Sequence, residues 1–138
     1  MRRSTSGPGF HHVALRARDF EATLRFYADA FGFERAYGWG QDAGRAALLA
    51  TGDGNYVEVF AGGSRPPGED PPEGALLHYA IRVPDADAAF QRALAAGARA
   101  VSAPRSLTIQ GDTPVPVRIA FVRGLDGEVI ELFQNEAL

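Results

Sequence analysis

Apolar residues along this chain fall into two regimes, and the switch between them happens twice. Residues 10–18, "FHHVALRAR", alternate apolar and polar with the period of two that marks a half-buried strand. From Asp19 the period lengthens: Phe20, Leu24, Tyr27 and Phe31 stand at i, i+4, i+7 and i+11, which predicts an amphipathic helix over 19–32. Asp19 is suited to cap its start and Gly32 to end it. Three strand-like runs follow, "FERAYGWG" (33–40), "RAALLAT" (45–51) and "NYVEVF" (55–60), the last two joined by the turn "GDG". The first segment, 10–60, therefore reads β-α-β-β-β.

Residues 61–74, "AGGSRPPGEDPPEG", hold Gly, Pro and acid with almost nothing to bury, and read as a linker. The pattern then restarts over 75–134. "ALLHYAIRV" (75–83) is strand-like, 85–97 is a helix opened by Asp85 and closed by Gly97, and "ARAVSAP", "VPVRIAFVR" and "EVIELFQ" supply three more strands. His12, Ala14, Arg16 and Asp19 recur as His78, Ala80, Arg82 and Asp85, all at the offset that separates His12 from His78. Neither half is large enough to stabilise itself easily, so the two are expected to pack as one pseudosymmetric α+β domain over 1–138. The segment 104–114, "PRSLTIQGDTP", is where the second module departs from the first.

Strand parity separates two faces in each module. Val13 and Leu15, with Val57 and Val59, suit a helix-covered face in the first module; Leu77, Ile81, Ile130 and Leu132 do so in the second. His12, Glu58, His78 and Glu131 fall on the opposite faces, one His and one Glu per module in corresponding strands. A glutamate in an apolar strand needs its charge compensated, and two imidazoles with two carboxylates supply that compensation by holding a divalent ion. A lone strand histidine or glutamate is usually just solvated; the paired recurrence is what favours the metal. His11 has the wrong parity and no counterpart, and reads as a surface residue. Tyr37 and Trp39 share parity with Phe33, which favours core packing over a pocket wall.

Composition narrows the chemistry. A net charge of -3 over 138 residues offers no basic face for nucleic acid, and no apolar run is long enough to span a bilayer. The opening has no apolar signal-like run, so a cytoplasmic location is expected. Cysteine is absent and all 14 basic residues are arginine, which excludes thiolate nucleophiles, sulfur-ligated zinc and lysine Schiff bases.

The segments "HHVALRARDFEATLRFYADAFGFE", "NYVEVF", "LLHYAIRVPD" and "IAFVRGLDGEVIELF" together resemble the vicinal oxygen chelate superfamily, which contains glyoxalase I, extradiol dioxygenases, fosfomycin-resistance enzymes and bleomycin-resistance proteins. The resemblance implies two βαβββ modules curved into a cupped mixed sheet with helices on the outer face. On the pattern of glyoxalase I it implies metal ligands at His12, Glu58, His78 and Glu131, with Glu131 and Glu58 as candidate bases. Nickel, zinc, cobalt, manganese and iron all suit that ligand set. Arg16, Trp39, Tyr56, Phe60 and Phe133 are the expected substrate contacts, although Gly62 stands where a glutathione-binding asparagine is expected. The expectation is a metal-dependent lyase or isomerase moving a proton alpha to a carbonyl of a small oxygenated molecule. A metal-free small-molecule binder of the bleomycin-resistance kind and a two-His, one-Glu iron dioxygenase are the alternatives. A homodimer is expected, and the sequence fits ligands meeting either within one chain or across two.

Overall fold

The computed structural model describes residues 7–138; Arg2 and Arg3 of the polar lead lie outside them. The first module runs β1 (His12–Arg16), α1 (Phe20–Phe31), β2 (Glu34–Trp39), β3 (Ala46–Ala50) and β4 (Tyr56–Phe60), with a short 3-10 turn at Asp42–Gly44. The second runs β5 (Tyr79–Arg82), α2 (Ala86–Ala95), β6 (Arg99–Gln110), β7 (Pro114–Arg123) and β8 (Val129–Gln134). Each module forms one four-stranded mixed sheet, in the order β1-β4-β3-β2 and β5-β8-β7-β6. In both, the first strand pairs in parallel with the last and the remaining pairings are antiparallel. A parallel pair needs a long crossover, and the helix after the first strand lies on that path.

Both helices begin as the sequence predicts. The Asp19 carboxylate accepts from the Ala22 amide at 3.1 Å and that of Asp85 from Ala88 at 3.0 Å, satisfying amides that the first turn leaves free. Gly32 takes the left-handed conformation that closes α1. The second helix ends one residue sooner than expected, with Ala96 as its cap.

The two helices pack against each other, and one core joins the modules. It contains Phe26, Tyr27, Val57 and Val59 from the first half and Phe90, Val122, Ile130 and Leu132 from the second. Burying these side chains is worth about 1.5–3 kcal/mol for each large one. The helix-covered faces therefore turn toward a shared interior, and the opposite faces turn away from it.

Two differences from the sequence-based expectation have physical causes. Leu77 is exposed rather than helix-covered, because β5 begins only at Tyr79 and residues 75–78 precede it as an open segment. Tyr37 and Trp39 do not join buried Phe33: the β2–β3 register shifts between Arg35 and Tyr37, and one extra residue reverses the parity beyond it. Segment 104–110 extends β6 as a long hairpin with β7.

The 61–74 linker has no regular element but is tied down. The Gly63 amide donates to the Ala17 carbonyl at 2.9 Å, and Asp70 pairs with Arg99 and, at 3.5 Å, with Arg123. Gly127, at φ 86°, lies under this linker, where an added Cβ would come within 2.6 Å of the Pro71 ring.

Candidate functional site

Strand register places the predicted polar residues in matching rows on the two outward faces. In the first sheet Ala14, Glu58, Leu48 and Tyr37 stand opposite one another across β1, β4, β3 and β2, and Arg16, Phe60, Ala46 and Trp39 form the next row. In the second, Ala80, Glu131, Phe121 and Ser102 form the equivalent row across β5, β8, β7 and β6. Arg82, Phe133, Ile119 and Arg105 follow it. His12 stands diagonal to Glu58 on the neighbouring strand, and His78, just before β5, reaches Glu131 on β8 in the same way.

The His12 Nε2 lies 3.3 Å from Glu58 Oε1, and His78 Nε2 lies 3.2 Å from Glu131 Oε1. In each pair the histidine is about a third exposed and the glutamate mostly covered, so the site is open to solvent from the imidazole side. His12 also contacts His11 at 2.9 Å between their Nδ1 atoms, and the His11 ring lies 5.0 Å from that of Tyr56. His78 meets the Phe121 ring edge-on at 5.3 Å. Arg16 donates to the Ala61 carbonyl at 2.8 Å while its guanidinium lies 5.6 Å from the Phe60 ring centre. Arg82 reaches the Leu138 carbonyl at 3.4 Å.

The structure brings these residues together two by two, not four. Among the described residues no group of three or more His, Asp or Glu side chains is placed to hold one metal ion. The sequence left open whether the four ligands meet within one chain or across two; within each sheet they stand as one His–Glu pair on the face opposite the shared core.

A groove of about 750 Å³ separates the modules along strands β1 and β5, each of which pairs on one side only. Val13, Phe33, Val57, Tyr79, Ile81 and Val83 line it, and Phe10, Leu76 and Leu77 are large apolar side chains left exposed.

Sequence reasoning missed a half-buried polar cluster that ties the turn between β7 and β8 to α1. The Tyr27 hydroxyl donates to Glu128 Oε2 at 2.7 Å, and the Tyr79 hydroxyl is hydrogen-bonded to that of Tyr27. Because the one Tyr27 proton goes to the carboxylate, Tyr79 is the donor in the second bond. Glu128 Oε1 accepts from the Asp126 amide at 3.0 Å, while the Asp126 carboxylate accepts from the Thr23 hydroxyl at 2.7 Å and the Arg18 amide at 2.9 Å. Burial pushes Glu128 above the ordinary carboxylate range, against the Tyr27 hydrogen bond, which pulls it down. Both tyrosines are pushed well above theirs, first by burial and then by neighbouring charge. The readable signal was two acids in "RGLDGE", Asp126 between the two glycines and Glu128 directly after them, more charge than a hairpin turn requires.

Residues 9–132 match the model of the Glyoxalase/Bleomycin resistance protein/Dioxygenase superfamily. The chain is 28% identical to the uncharacterized protein YaeR of Escherichia coli (strain K12) over 129 residues, which span 91% of this chain and 95% of that one. It is similar to TioX from Micromonospora sp. ML1, with a TM-score of 0.65 and 26% identity over 94% of this chain and all of that one. It also matches a glyoxalase I mutant from Zea mays with a TM-score of 0.70 and 21% identity, over 91% of this chain but only 46% of that one. At that identity the likeness is one of fold. The repeated β-α-β-β-β order, the paired sheets and the family match over nearly the whole length agree: the chain belongs to the Glyoxalase/Bleomycin resistance protein/Dioxygenase superfamily.

Proposed function

We propose that this protein is a metal-dependent, glyoxalase-like lyase or isomerase whose site forms between two copies of the chain. The observation that carries this reading is the pair of equivalent half-sites, His12 with Glu58 and His78 with Glu131, each supplying two ligands and lacking the other two. A two-fold-related copy supplies the missing half for both. The unpaired edges of β1 and β5, the apolar groove between them and exposed Phe10, Leu76 and Leu77 are the surface on which such a copy would pack.

Two imidazoles and two carboxylates fit nickel, zinc, cobalt, manganese or iron, and their outward exposure leaves room for substrate oxygens. A divalent ion bound there supplies Lewis-acid polarisation of a carbonyl and offsets negative charge as it develops. Glu131 or Glu58 takes the proton from the carbon alpha to that carbonyl and returns it to the product, and Arg16 orients an oxygen of the substrate. The apolar side chains around the pairs, Phe60, Phe121 and Phe133, restrict water near the transferred proton.

Complementation between chains tests the assembly. Protein carrying His12→Ala and Glu58→Ala, and protein carrying His78→Ala and Glu131→Ala, should each bind no zinc at stoichiometric levels. Refolded together, they should regain zinc, since one site of every mixed dimer then holds all four ligands. Sedimentation as a monomer at every concentration, or a mixture as metal-free as its parents, would overturn the proposal. The absence of stoichiometric zinc, nickel, cobalt, manganese or iron from wild-type protein purified without chelator, with none taken up on reconstitution, would favour the second reading. That reading is a metal-free small-molecule binder, and the exposed aromatic rings of Tyr37 and Trp39 favour it.

A further inference from the structure

The outward faces of the two modules correspond row by row until the outermost strand, where they diverge. On β6 the positions at the ends of the two rows are Ser102 and Arg105; on β2 they are Tyr37 and Trp39. Tyr37 is 62% and Trp39 39% exposed, which the core does not explain. Their ring centres are 5.8 Å apart, and Trp39 meets Phe60 edge-on at 6.2 Å across the small side chain of Ala46. The bulge after Arg35 is what turns both rings outward, and such bulges are common where a strand re-aims a functional side chain.

We propose that Tyr37 and Trp39 form a shelf for a planar aromatic ring, so that the ligand of this face is an aryl-bearing oxygenated molecule. Register sets its length. Tyr37 is two strands away from Glu58 in the same row, which separates ring from oxygen pair by about 10 Å. A three-carbon oxygenated substrate cannot span that distance; one with a tether of several bonds between ring and oxygens can. The shelf lies at the β2 edge, the opposite side of the sheet from the β1 edge and its groove, so it is not part of the surface assigned above to the second copy. The inference rests on the reading that His12 and Glu58 mark the oxygen-binding end.

Trp39 is the only tryptophan, so its fluorescence reports on the shelf directly. Three alpha-keto acids separate the terms: phenylglyoxylate, with the ring next to the oxygens; an acid with phenyl on a four-methylene tether; and a straight-chain acid of matching length. The tethered phenyl acid should quench Trp39 and bind about tenfold more tightly than the straight-chain acid, the scale of one good aromatic contact. Phenylglyoxylate should show no such advantage. By calorimetry, Tyr37→Leu and Trp39→Leu should each erase the preference while leaving zinc uptake and sedimentation unchanged. Equal affinity for tethered phenyl and straight-chain acids overturns the inference, as does a Trp39→Leu protein that loses its dimer but keeps its ligand affinity. Repeating the titration after chelator treatment keeps the two readings apart. Aromatic preference without zinc uptake sinks the metal site alone, whereas zinc uptake without aromatic preference sinks the shelf alone.

Discussion

Tyr27 adds a polar link between the two modules through one hydroxyl, and replacing it with phenylalanine measures that link with almost no change in volume. The hydroxyl donates to the Glu128 carboxylate and accepts from Tyr79. A hydrogen bond to an ionised group contributes about 1.5–3 kcal/mol, and Tyr79 left with a half-buried, unpartnered hydroxyl costs about 1–3 kcal/mol more. Some of that second cost is recovered if water enters, so Tyr27→Phe should destabilise by about 3–4 kcal/mol. This is a large share of the 5–15 kcal/mol by which domains of this kind are usually stable. Tyr79→Phe is the control. It removes one bond while Tyr27 keeps its proton on Glu128, so its cost should be about 1 kcal/mol. Urea unfolding followed by circular dichroism, at one fixed protein concentration so that the proposed self-association does not enter the comparison, gives both values. A Tyr27→Phe protein within about 0.5 kcal/mol of wild type, or equal costs for the two substitutions, would show that the hydroxyl does not link the modules.

On the proposed function, Glu131→Gln should keep the fold and much of the metal yet lose most turnover, since an amide cannot accept the substrate proton; Glu58→Gln is its partner, and hydrogen exchange at the substrate alpha carbon, followed by NMR, tests which carboxylate is the base. Burial raises the Glu128 pKa in the folded state, so the fold binds that proton more tightly than the unfolded chain does. Its contribution to stability is therefore full below about 4.3, the unfolded value, and falls as pH rises through the raised folded one. Melting curves across this range should show wild type losing stability relative to Glu128→Gln as pH increases; a constant difference would refute the shift. The groups facing Glu128 that must stay in place for this are Tyr27 on α1, Tyr79 on β5 and Asp126 in the same turn. Gly127→Ala, at a positive φ and against Pro71, should cost about 1–3 kcal/mol in the same unfolding assay, and a neutral result would mean that the linker is not packed there. Asp19→Ala should cost about 1 kcal/mol by removing the cap on α1.

Local chemistry was legible in the sequence, and long-range placement was not. The period of the apolar residues, the Asp caps and the offset between His12 and His78 determine two βαβββ modules, because period and capping depend only on neighbours along the chain. Parity alone placed His12, Glu58, His78 and Glu131 on the faces opposite the core, and the structure pairs them within each sheet. Parity could not carry through the bulge after Arg35, where a single unpaired residue turned Tyr37 and Trp39 outward, nor show where β5 starts, which left Leu77 exposed. The direction in which the two sheets face each other is decided by contacts between residues far apart in sequence. Packing of α1 on α2 and the cluster of Tyr27, Tyr79, Asp126 and Glu128 join the modules through their helix-covered sides. Those contacts bury apolar area and satisfy polar groups at the same time, and they lie on the sides of the sheets opposite the two His–Glu pairs.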